Sequence, residues 1–154
     1  MSGLLVGGHF SSMNQFALPH EAFKNICNLE LAKSRQKEGY QTTLVKLIFN
    51  GLNDFLEQKS SQAFVTLSEE ISEQITFTIQ SSNCLSHESP EVYYFTLFDV
   101  STEQAKELVS NLTGRLRQLI LDNHSFVFKS VETQLLTLTQ SVTTEDLSVF
   151  LSNW

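Results

Sequence analysis

Cys84-x-x-His87 is the pair of residues best spaced for chemistry in this 154-residue chain, and it sits in a polar stretch from Ser81 to Pro90. A zinc site needs three or four thiolate or imidazole ligands at one point. His9, His20 and His124 are scattered singly along the chain, so no metal site is expected. With His124, the pair is also the best available set for a small hydrolase, a thiol beside a base. No G-x-S-x-G elbow accompanies it, and Cys27 falls on an apolar helical row where a thiol is inert.

The carboxylate pairs offer little more. Glu69 and Glu70 with Glu73, Asp54 with Glu57, and Glu145 with Asp146 lie among polar residues or in helix first turns. General acid–base work needs one carboxyl desolvated enough to raise its pKa. Gly3 and Gly8 have the separation of a phosphate-binding loop, but His9 and Phe10 stand where Lys and Ser or Thr should follow. No catalytic residue and no cofactor is therefore expected.

Charge narrows the partners. The chain has 10 basic and 17 acidic residues, a net charge of −7, and no Lys or Arg from residue 60 to residue 105. Phosphate backbones and anionic lipid are repelled by such a surface, so nucleic acid is excluded. The one dense basic cluster is Lys33, Arg35 and Lys37. No apolar window is long enough to span a bilayer, no secretory signal is evident, and the two cysteines read as reduced thiols. A cytoplasmic protein is expected.

The elements that would carry these residues follow from periodicity. Residues 1–18 read as a loose arm whose Leu4, Leu5, Val6 and Phe10 can pack onto the body. Pro19 opens a helix that runs to about Lys37 and stops at Gly39, with Phe23, Cys27 and Leu31 on one row. For Thr42 to Gln58, the spacing of Leu44, Val45, Ile48, Leu52, Phe55 and Leu56 favours a second helix; the alternative is a strand to Phe49 with a hairpin turn at Asn50-Gly51. Ala63–Leu67 and the alternating Ile75–Ile79 read as strands, and Val92–Val100 as a central strand antiparallel to residues 75–80.

Ser101 or Thr102 caps a long helix to about Asp122, with Ala105, Leu108, Val109, Leu112, Leu116, Leu119 and Ile120 on one face. Ser125–Val131 and Gln134–Thr139 are strand-like, as two strands or one bent near Glu132. Thr143 or Thr144 caps a last short helix. The fold class is α+β: N-terminal helices, a mostly antiparallel sheet of 3–5 strands packed on one long amphipathic helix at about 101–122, and a short C-terminal helix. One domain spans 1–154.

With twelve Phe against three Tyr and one Trp, aromatic area belongs mainly to a core. The expected function is a non-enzymatic protein-interaction module, an adaptor or chaperone-like subunit binding another protein or its own copy as a homodimer. Its surface is drawn from residues 63–100 and the C-terminal segment, with Tyr94, Phe98, Phe150, Leu151 and Trp154 as contacts. The alternative is a small-molecule or lipid-like ligand held in a cavity among Phe64, Phe77, Phe95, Phe98, Phe126 and Phe128.

Overall fold

The computed structural model describes residues 17–52, 61–79, 83–89, 91–124 and 130–152. Along the chain these form β1 (Ala17–Leu18), α1 (His20–Gln36), β2 (Thr42–Asn50), α2 (Ser61–Ile79), β3 (Leu85–Ser89), β4 (Val92–Leu97), α3 (Thr102–His124), β5 (Ser130–Leu138) and α4 (Thr144–Leu151). The fold is α+β, with a five-stranded mixed sheet in the order β1-β3-β4-β2-β5. β2 is antiparallel to both β4 and β5, β3 is antiparallel to β4, and the two-residue β1 runs parallel to β3.

From β2 to β5 the order is strand, helix, strand, strand, helix, strand, the split βαβ arrangement in which both helices return over one face of the sheet. Odd-numbered residues of β2, Val45, Leu47 and Phe49, meet Leu67, Ile71, Ile75 and Ile79 of α2 and Ala105, Val109, Leu112 and Leu116 of α3. Leu44 and Tyr94 point the other way, onto Phe23, Cys27 and Leu31 of α1 and Leu147 and Leu151 of α4. The sheet is thus covered on both sides, and its period-2 alternation separates two cores rather than core from water.

That double cover explains the largest departure from expectation. Thr42–Asn50 is a strand, not the first half of a helix. Both of its faces are buried and, apart from Lys46, its centre is apolar, so no wet face shows in the pattern, and Leu44, Val45 and Ile48 mimic a helical stripe. Gly51, at φ +109°, ends the strand in a backbone region that favours glycine.

The second correction runs the opposite way. Residues 63–67 and 75–79 are not strands; they belong to the single helix α2. Its buried row is Leu67, Ile71, Ile75 and Ile79, a strict i, i+4 series. Phe77, whose alternation with Ile75 and Ile79 suggested a strand face, is 81% exposed on the outside of the helix. The antiparallel partners of residues 92–97 are accordingly β3 and β2, and β3 lies inside the stretch expected to be a polar connection. Near the C-terminus, residues 130–138 form one strand.

α1, α3 and α4 fall where periodicity and capping placed them. Ser101 and Gln104 exchange hydrogen bonds at the start of α3, Ser101 N–H donating to Gln104 Oε1 at 3.1 Å and Gln104 N–H to Ser101 Oγ at 3.3 Å. At α4, Asp146 N–H donates to Thr143 Oγ1 and Thr143 N–H to Asp146 Oδ2, each at 3.0 Å, a complete capping box. The arm of residues 1–16, and with it Leu4, Leu5, Val6 and Phe10, lies outside the described residues.

Candidate functional site

The parallel strands β2 and β3 both end at the sheet margin that carries the β3–β4 hairpin. α2 starts toward that margin, and β5 begins there opposite Asn50. In open sheets such a margin is where ligands sit, because loops diverge from aligned strand ends. Gly51 N–H donates to Glu91 Oε2 at 3.1 Å, and Phe49 N–H to the Glu91 carbonyl at 2.8 Å. Asn50 Nδ2 donates to Glu132 Oε2 at 2.6 Å. Two carboxylates therefore hold the turn after β2 against the hairpin and against β5.

Behind this turn the wall is aromatic. The His87 ring stacks on Tyr93 at 3.8 Å between centroids and 8° between planes, and Phe49 meets Tyr93 edge-on at 5.3 Å. The Tyr93 hydroxyl is buried near Ser68 and Ser72 of α2, with no hydrogen-bond partner among the described residues. Complete burial pushes its pKa well up, the two serines pulling back only in part.

At the opposite margin a buried carboxylate ties α1 to β2. Glu30 accepts from the Tyr40 hydroxyl and the Thr42 hydroxyl, each at 2.6 Å, and pairs with Lys33 at 3.1 Å. Burial alone would raise its pKa, but the hydrogen bonds from Thr42, Tyr40 and Lys33 together outweigh it and hold the group below its ordinary value of 4.5. Beside it runs a surface groove of about 520 Å³ lined by Ile26, Leu29, Ala32, Cys84 and Phe98. Neither feature is a reaction centre, for the carboxylate is saturated and the groove is mostly apolar.

The residues singled out from sequence are dispersed. Cys84 packs on the α1 side of the sheet, whereas His87 stacks on Tyr93 on the α2 and α3 side, and His124 closes α3. The hydrolase set is therefore not assembled, since the sheet stands between its thiol and the His87 imidazole. Burial pushes the Cys27 thiol up to about 12 and raises that of Cys84 as well. Among the described residues no group of three His, Cys, Asp or Glu side chains is placed to hold a metal ion.

Tyr94, Phe150 and Leu151 do come together. Tyr94 is buried, its hydroxyl donates to the Phe150 carbonyl at 3.2 Å, and Leu151 fills the core beside it. Phe98 is apart, in the groove along α1, and Trp154 lies outside the described residues. The Phe-rich cavity is not formed as expected, because Phe95 is packed in the core, Phe77 faces solvent and Phe98 lines the surface. Phe126 and Phe128 are outside the described residues. Sequence reasoning passed over Lys46 and His20, both buried polar groups on the α1 and α4 side; Lys46 was the detectable one, a lone charge inside an apolar run.

No family model matches the chain, and no curated protein matches it. Solved structures do. The GGDEF domain of FimX from Pseudomonas aeruginosa superposes with a TM-score of 0.69 at 11% identity, over 86% of this chain and 83% of that one. The GGDEF domain of DgcB from Caulobacter crescentus, solved in complex with c-di-GMP, gives 0.68 at 10% identity over 88% and 81%. The diguanylate cyclase SiaD of Pseudomonas aeruginosa, solved with its activator SiaC, gives 0.64 at 11% over 97% of this chain and 58% of that one.

The expectation of a non-enzymatic adaptor or chaperone-like module is overturned by this likeness, since an enzyme, SiaD, has the same architecture. Contacts across residues 63–100 as an uncharged strand surface fall with it, because much of that stretch is helix α2. The described residues contain no helix long and apolar enough to cross a membrane. Over most of its length, the chain has the fold of GGDEF domains.

Proposed function

We propose that this chain is a guanine-nucleotide domain of the diguanylate cyclase type, engaging GTP or c-di-GMP at the hairpin margin of its sheet and working in the cytoplasm, where GTP is available. The observation that carries this reading is the superposition, over 88% of the chain, on a domain solved with c-di-GMP. The location follows from the strand-end rule, which favours the margin where β2 and β3 finish and α2 begins. The sequence departs from the run that gives these domains their name. Gly-Gly-Asp-Glu-Phe does not occur, and the only adjacent glycines, Gly7-Gly8, are followed by His9-Phe10.

Equilibrium dialysis with labelled GTP and labelled c-di-GMP, in the presence of magnesium, tests the reading, together with chromatography of GTP incubations for newly formed c-di-GMP. Saturable binding of either nucleotide with a Kd below about 100 μM is expected. Neither nucleotide binding, with no c-di-GMP formed, would remove it.

A further inference from the structure

Lys46 stands in the middle of β2 at 2% exposure, its Nζ 5.3 Å from the centre of the Tyr94 ring and 5.0 Å from that of Phe150. Among the described residues no carboxylate pairs with it. Two further buried donors converge on the same spot from other elements. His20, the first residue of α1, places Nε2 3.0 Å from the Leu151 carbonyl; because a carbonyl only accepts, Nε2 carries the proton and Nδ1 faces the Ser86 hydroxyl at 3.2 Å. Tyr94 donates to the Phe150 carbonyl. The His20 and Tyr94 rings are 5.4 Å apart, so the three donors form one compact cluster.

What fills the cluster is the carboxyl end of α4. The last carbonyls of a helix carry a partial negative charge and lack partners within the helix. Two side chains suffice to cap Phe150 and Leu151, and a hydrocarbon at position 46 would pack the aromatic cage without desolvation. A buried ammonium there is unexplained by capping alone, since a buried charge without a counter-ion is costly. It is explained if the cluster serves an anion and α4 occupies the place of that anion.

We propose that α4 is a plug seated in a phosphoryl-binding site, and that its withdrawal exposes Lys46, with His20 and Tyr94 beside it, to a phosphate group. Three donors approaching from α1, β2 and β4 match the tetrahedral oxygens of a phosphoryl group better than the planar fork of a carboxylate. α4 is suited to leave. It spans eight residues, too few to persist as a helix without its docking contacts, and only Leu147 and Leu151 among them are fully buried. The inference does not rest on guanine recognition, and a probe without a base tests it.

Hydrogen exchange of the full chain is measured in sodium pyrophosphate, sodium acetate and sodium chloride at equal ionic strength. Pyrophosphate is expected to accelerate exchange of the α4 amides about threefold, saturably, while α3 is unchanged. Thr143→Ala, which loosens the plug, should lower the half-saturating concentration severalfold. Lys46→Met, which removes the charge and keeps both side-chain caps of α4, should raise it about tenfold, with a thermal melt confirming that it is folded. No pyrophosphate response in α4, an equal response in acetate, or a Lys46→Met protein that responds like the parent would overturn the proposal.

Discussion

Two buried ionisable residues make opposite demands on pH. Burial lowers the pKa of Lys46 below its ordinary 10.5. Below the folded value the amine is charged in both states and the folded protein bears the whole desolvation cost. As pH rises toward 10.5 the folded chain has released the proton while the unfolded chain still holds it, so stability rises. Urea midpoints of the parent should therefore gain on those of Lys46→Met between neutral pH and pH about 10; parallel curves would contradict a desolvated amine. Glu30 behaves inversely, as a carboxylate held below 4.5 contributes stability above that value and loses it as pH falls through the folded pKa. Glu30→Gln should cost about 1–3 kcal/mol at neutral pH and flatten the acid limb of the stability curve. The thiols can be told apart by alkylation under native conditions. Half-buried Cys84 should react at least about tenfold faster than Cys27, and Cys84→Ser should abolish the faster phase.

Among the elements, α2 separates the two readings of its own sequence. If residues 75–79 were a strand, Phe77 would share a buried face with Ile75 and Ile79; on a helix it points outward while Ile71 lies in the core. Phe77→Ser should change the unfolding free energy by less than about 0.5 kcal/mol, whereas Ile71→Ala should cost about 2–5 kcal/mol. The reverse order in denaturant titrations would restore the strand. The helices legible in the sequence were those with one wet face, and β4 was legible with both faces dry because its run of Val, Tyr and Phe suits a strand. α1 and α3 set Lys33, Arg35, Lys106 and Glu107 against their apolar rows, and the box of Thr143 and Asp146 marks the start of α4. β2 was misread because its dry faces let Leu44, Val45, Ile48 and Leu52 fall at helical spacing, which outweighed the strand alternative, and α2 because its β-branched Ile and Thr residues suit a strand by propensity while only its fourfold spacing reveals the helix. The hairpin margin was illegible for another reason. Its parts come from three separate stretches, Asn50, His87 with Glu91, and Glu132, and carry no recognised spacing, and identities near 10% leave the shared fold in the topology alone.

For the whole molecule, the central position of β2 and β4 makes the two cores interdependent. Tyr93 and Tyr94 are consecutive on β4 yet belong to opposite cores, the first against α2 and α3 and the second against α1 and α4. Loss of either core strips one side of both central strands, so unfolding should be a single transition. Urea titrations followed by far-UV and by tyrosine near-UV circular dichroism are expected to coincide in the parent and in Tyr93→Phe. Separate midpoints would mean that one layer survives without the other.

The order of the sheet leaves β5 at a margin, with nine residues of backbone on its outer side. There Glu132, Thr133 and Gln134 are all exposed, and Asn50 anchors the Glu132 carboxylate. A charge pinned on a border strand deters a neighbouring copy from zipping alongside it. Within the GGDEF-like architecture, that short hydrophilic run guards against fibril growth from β5, the longer border strand among the described residues.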